Sequence, residues 1–223
     1  MLQTSTLQFL KQLAKNNTKE WFDTNRKKYE AAKADFASSI QNVLNDFSKT
    51  NTDLSSLTAK DCMFRINRDI RFSKDKSPYK TNFGAYINAA GKKSMTAGYY
   101  LHVQPGESFV GGGLYQPDAE ALKKIRQELD YNFDEFANTI NHKKFRSVYA
   151  KGISKDSELS LSRPPKGYEE NNPAIQFIKL KSIIAMAPLT DAQLTDKKFA
   201  SIVIKAFEAL QPVIIFLNRA MEG

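Results

Sequence analysis

The chain has 223 residues, 41% of them hydrophobic and 26% charged, with a formal net charge of +9. A chain of this size can bury one sizeable core, and its composition is that of an ordinary soluble globule. The lone Cys62 excludes an intrachain disulfide framework and fits a reducing cytoplasm. A basic balance favours anionic partners through its field alone, whether small anions or nucleic acid. No apolar run reaches the ~18 residues that would span a bilayer, so no membrane partner is expected. The opening MLQTSTLQFLKQL lacks the charged and apolar regions of a secretory signal, and a cytoplasmic location follows as the expectation.

Two helices are predicted at the N-terminus. Leu7, Leu10, Leu13 and Ala14 form an apolar stripe, with Thr6 or an earlier hydroxyl residue as cap. Asn16 and Asn17 break it. Asn17 then caps a longer helix, with Glu20 where a capping-box partner belongs and Phe22, Tyr29, Phe36, Ile40, Val43, Leu44 and Phe47 at helical spacing. Trp21 and Phe22, beside Arg26, Lys27 and Lys28, read as an aromatic anchor; a stacking platform for a base or sugar would need Trp21 exposed.

After a polar loop over residues 50–60, the pattern changes to a period of two. Phe64, Ile66, Ile70 and Phe72 alternate with Arg65, Asn67, Asp69 and Arg71, which predicts a strand with its apolar side buried. Arg68 interrupts that side and must find a partner or an edge. The strand hands its polar face to a turn-rich segment, SKDKSPYKT, in which Pro78 biases Ser77 away from helix. Residues 60–80 carry seven basic side chains against Asp61, Asp69 and Asp75. Strands are also expected over Phe83 to Ala89, Gly98 to Gln104 and Ser108 to Tyr115, with Pro105-Gly106 as a type II turn. Gly111, Gly112 and Gly113 fall inside the last of these. Glycines there leave nothing to pack, so they mark either a bulge or the close approach of a ligand, the basic loop or a helix packed against the sheet.

A helix starting near Pro117 is expected to reach about Leu129, followed by helical segments at Asn132 to Ile140 and Phe145 to Tyr149. Residues 151–173 read as irregular, and Arg163, Lys166 and Tyr168 stand in that long proline-rich excursion. A short helix near Ile175 to Ile178, a strand over Lys181 to Ala187 and a final helix from about Asp196 to Ala220 complete the chain. Pro188 suits an edge position for that strand, and Pro212 a kink in that helix. The expected fold is therefore α+β: an antiparallel sheet of four to five strands packed with several helices. The whole of 1–223 reads as a single domain, with helices over 1–50, the meander over 62–116, and a helical part with one further strand over 117–223.

Four separated stretches are similar to one bacterial family: NNTKEWFDTNRKKY, RINRDIRFSKDKSPYKT, GGGLYQP and SRPPKGYEENNP. Together, and in order, they resemble the domain-of-unknown-function family numbered 2461, whose members are described as conserved hypothetical proteins. The resemblance covers nearly the whole chain and implies a cytoplasmic bacterial protein. It puts weight on Arg65, Arg68, Asp69, Arg71, Phe72, Asp75, Lys76, Tyr79 and Lys80, and it implies no particular activity.

His102, His142 and Cys62 are too few for a Cys/His metal site, and no nucleophile motif accompanies either histidine. Neither a metal nor a cofactor is expected. What remains is Arg, Lys and Tyr chemistry. Arginine forks bind phosphate or carboxylate in two-pronged fashion, and lysine adds a mobile charge. Arg65, Arg68, Arg71, Lys76 and Lys80, with Asp69 and Asp75 orienting them, are the candidate ligand-binding residues. Arg163 and Lys166 are expected to close over the anion beside Gly112. The competing reading is an internal salt-bridge network in which Asp69 and Asp75 consume the arginines. Three functions stay open: a binding module for a phosphate- or carboxylate-bearing small molecule, an enzyme on such a substrate with Tyr79 or Lys76 as acid or base, and, behind these, a nucleic-acid-associated protein. The ligand, the reaction and the oligomeric state are left open by the sequence.

Overall fold

A computed structural model describes residues 1–222 of the chain. The protein is α+β, with one antiparallel sheet in the order β1-β2-β3-β4: β1 Phe83–Ile87, β2 Gly98–Val103, β3 Phe109–Leu114 and β4 Ile183–Pro188. The expected alternation is realised in β2, where Tyr99, Leu101 and Val103 are buried while Tyr100 and His102 are half-buried. Pro105 and Gly106 turn β2 into β3, with Glu107 N–H donating to the Gln104 carbonyl at 2.9 Å. Gly106 has φ +82°, as the third position of a type II turn demands.

The chain groups into two compact units. The first comprises residues 1–92, 100–110 and 188–204. It contains helices α1 Thr4–Lys15, α2 Lys19–Thr24, α3 Arg26–Phe47 and α4 Ala59–Cys62. Its core is built on Leu10, Leu13, Phe36, Ile40 and Val43, all fully buried. Phe83 at the start of β1 stacks on Phe36, 5.3 Å between ring centres. A short helix, here called α9 (Asp191–Thr195), holds the N-terminal strand-like residues through Leu2 N–H to the Leu194 carbonyl at 3.0 Å. The helix caps differ from those expected. Thr6 is buried and gives its hydroxyl to Asp35, so α1 begins on Gln3 without a side-chain cap. Thr18, not Asn17, caps α2 by accepting from Trp21 N–H, and Asn25 separates α2 from α3.

The second unit comprises residues 93–99, 111–187 and 205–223. Helices α5 Ala119–Tyr131, α6 Phe133–Asn141, α7 Lys143–Val148 and α8 Ile175–Ile178 belong to it. Phe136 sits between Phe177 and Phe216, at 5.2 and 5.1 Å. The buried Tyr149 hydroxyl donates to the Ala206 carbonyl at 3.0 Å. Arg219 clamps both Glu128 and Glu135 at 2.7 Å. The last helix, α10, runs Phe199–Glu222 with Pro212 inside it. It carries an 18-residue window of mean hydropathy 1.8, enough by length and composition to cross a membrane. Half of that window is buried within the protein, and Phe207, Leu210, Val213, Phe216 and Leu217 are core residues, which is how the central helix of a globule reads.

The close approach expected at the glycines is made by backbone. A Cβ on Gly111 would lie 2.1 Å from the Ala185 carbonyl oxygen, one on Gly112 2.2 Å from that of Gly98, and one on Gly113 2.0 Å from that of Ile183. Strands β2 and β4 fill the space that a ligand beside Gly112 would have needed.

Candidate functional site

The predicted strand over Phe64 to Phe72 does not form. Among its apolar positions Ile66 is buried, whereas Phe64 is 38% exposed and Phe72 is 95% exposed. The segment instead makes an irregular ladder: Phe64 N–H to the Gly84 carbonyl, Lys80 N–H to that of Ile66, and Arg68 N–H to that of Pro78. Pairing stops there for a local reason. The next partner, Ser77, gives its N–H to Asp75 at 2.9 Å and its carbonyl to the Arg68 guanidinium at 3.1 Å. Side chains have taken the groups a longer strand would need.

Residues 69–77 are thereby closed into a loop around Arg68. Its guanidinium binds the Asp75 carboxylate, the Ser77 carbonyl and the Ser73 hydroxyl. Contacts from Ser77 and Arg68 hold the Asp75 carboxyl down at about 2. Arg71 chelates Asp69 at 3.0 and 2.7 Å, which lowers the Asp69 pKa and raises that of Arg71. Lys76 donates to the Ile70 carbonyl at 3.1 Å. Both aspartates therefore engage arginines, as the salt-bridge reading expects.

Arg68 and Arg71 are the cations of the segment held in these pairs; Arg65 and Lys80 are among those outside them. Arg65 and Lys80 make no ion pair with a carboxylate among the described residues. The Lys80 ammonium rests over the Phe64 ring at 5.4 Å, and its pKa is lowered by burial and by the charge of Arg65. Lys80 also lines a surface depression of about 300 Å³, together with Asn17, Arg68, Asp75, Tyr79 and Asn82.

Asn17 shapes this depression from the N-terminal side. Its side-chain amide donates to the Tyr79 carbonyl at 2.9 Å and accepts from Tyr79 N–H at 3.1 Å, so it pairs with Tyr79 as a strand residue would. The two motifs NNTKEW and SPYKT meet through this pair. The Tyr79 ring is 6% exposed and stacks on Phe22, 3.9 Å between centres and 13° from parallel. Trp21 is half-buried and stacks on Phe9 at 6.0 Å, as an anchor does.

On the other side stands a polar group that sequence reasoning did not assemble. Asn82 reaches His102, which also meets Tyr100 and Gln104. Burial lowers the His102 pKa and pushes that of Tyr100 up to about 12. The alternation of β2 places Tyr100, His102 and Gln104 on one face, but nothing local announces Asn82 as their neighbour. Arg163 and Lys166 belong to the second unit, and both are exposed. Among the described residues no three His, Cys, Asp or Glu side chains gather to hold a metal ion.

The fold and this depression define an α+β protein with a self-braced basic loop beside a half-buried lysine. The chain belongs to the family described as conserved hypothetical protein (DUF2461), whose model matches residues 5–216. No curated protein and no solved structure matches the chain.

Proposed function

We propose that this protein binds a small phosphate- or carboxylate-bearing ligand in the depression beside Lys80. One observation carries the reading: the Lys80 ammonium is half-buried at that depression, next to Arg65 and in no ion pair, while Asp75, which shares the depression, is paired with Arg68. Two neighbouring cations in partly desolvated surroundings repel, and a bound anion relieves both the repulsion and the desolvation. The Arg68–Asp75 and Arg71–Asp69 pairs then brace the loop, and the salt-bridge network and the site coexist. The reading is binding and not catalysis, because Tyr79 is stacked away in the core and Lys76 is held on a backbone carbonyl.

The nucleic-acid alternative draws on Phe72, exposed beside Arg71 at 5.8 Å. Phe64, the other exposed ring of the basic segment, lies under the Lys80 ammonium, and Trp21, stacked on Phe9, does not extend Phe72 into a platform.

Thermal unfolding at constant ionic strength tests the proposal. Phosphate at about ten times its Kd is expected to add about 1.4 kcal/mol, or about 3–6 °C in Tm for a chain of this size. Lys80→Met should erase the rise, whereas Lys74→Met, which removes the same charge from an exposed position, should keep it. No rise in the wild type, or an equal rise in Lys80→Met, overturns the reading.

A further inference from the structure

A directed chain of hydrogen bonds ends at the wall of the Lys80 depression. It starts at Glu107. A carboxylate only accepts, so its contact with Gln104 Nε2 fixes which way the Gln104 amide lies. Gln104 Oε1 consequently faces His102 Nε2, at 3.1 Å. An amide oxygen also only accepts, so His102 carries its proton on Nε2 and offers a lone pair at Nδ1. Two donors compete for it: the Tyr100 hydroxyl at 3.3 Å and Asn82 Nδ2 at 3.4 Å.

The polarity of this chain favours one orientation of Asn82. Its Nδ2 turns to His102, and its Oδ1 is left without a hydrogen bond among the described residues. Asn82 and Lys80 both line the depression. With Nδ2 on His102, Oδ1 is the Asn82 amide atom left for a ligand in a depression that Lys80 also lines. At about 300 Å³ it is also larger than a bare anion needs and falls at the small end of ligand pockets.

Resting on the anion-binding reading, we infer that the ligand carries a hydroxyl or similar hydrogen-bond donor close to its charged group, as phosphorylated or carboxylated polyols do, and that Asn82 Oδ1 accepts from that donor. Lys80 supplies attraction for the anion, and Asn82 supplies discrimination. Gln104 and His102 act as positioning residues, because they hold the Asn82 amide without touching the ligand.

The test compares inorganic phosphate, propyl phosphate and glycerol 3-phosphate by thermal shift at constant ionic strength. All three are expected to stabilise the wild type, with glycerol 3-phosphate half-saturating at a concentration about fivefold below propyl phosphate, as one added hydrogen bond requires. Asn82→Ala should abolish that preference while leaving the phosphate response in place. Gln104→Leu, which frees His102 and Asn82 to turn, should weaken the preference through orientation alone, an effect that a purely structural role would not produce. Equal affinity of the wild type for the two esters overturns the inference and leaves anion binding standing. A preference that survives in both variants overturns the role of Asn82. No stabilisation by any of the three overturns the inference together with the reading beneath it.

Discussion

Gly113→Ala is expected to destabilise the protein by about 3 kcal/mol or more. Two costs add at this position. The residue has φ +121°, a conformation that L side chains rarely adopt, and an added methyl would stand 2.0 Å from the Ile183 carbonyl oxygen. That oxygen belongs to the sheet backbone and has no flexible end to move aside. Gly106→Ala provides the comparison, since its φ is +82° but nothing lies within 4 Å of the added carbon. It should cost about 1–2 kcal/mol, the conformational share alone. Urea unfolding of both variants separates the two contributions. A Gly113→Ala protein no less stable than Gly106→Ala would mean that β3 and β4 do not approach as described.

Tyr79→Ala comes next in size. Truncating a buried aromatic residue costs about 3–5 kcal/mol, and here it also unstacks Phe22 and opens the floor of the depression. Tyr79→Phe keeps the ring and should lie within about 1 kcal/mol of the wild type, with its phosphate response intact. A wild-type-like Tyr79→Ala would contradict the packing, while loss of the phosphate response in Tyr79→Phe would restore the hydroxyl as a functional group.

The comparison of these elements with the sequence shows where local patterns suffice. Strand β2 forms where its period places it, whereas the single long helix read from Asn17 onward divides at Asn25 into α2 and α3. The type II turn at Pro105-Gly106 follows from two residues whose backbone preferences leave little choice. The stretch from Phe64 to Phe72 alternates just as well, yet it makes no strand. Arg68, Asp75 and Ser77 defeat its pattern, because they satisfy one another's polar groups across two to nine residues and end the ladder. Periodicity counts apolar positions; it does not register such side-chain claims on the backbone.

The candidate site was legible in part for the same reason. Lys80 and its basic neighbours are visible as a charge run, and the pairing of Asp69 and Asp75 with arginines follows from their proximity. Asn17 suits a cap by type and place, whereas its actual partner, Tyr79, lies 62 residues away. Asn82 and His102 are 20 residues apart, and only the folded sheet brings them together. Gly112 reads locally as an opening for a ligand, but the neighbouring strands close against it.

The proposed site makes Lys80 a strained cation that a bound anion would relieve, and the titration of Lys80 itself reads this out. Burial and Arg65 both disfavour the charged form, so the folded-state pKa lies below that of a free lysine. The strain is present while the ammonium is charged and is relieved as pH rises through the folded pKa. A bound anion favours the charged form and must raise that pKa, and by linkage its affinity is lost as Lys80 deprotonates. The measurement is an NMR pH titration of the lysine side chains, with Lys80 assigned through Lys80→Met, in the absence and presence of saturating phosphate. Lys80 is expected to titrate below an ordinary lysine in the free protein and to move upward with phosphate. A Lys80 signal that titrates as an ordinary lysine does and ignores phosphate would contradict the account.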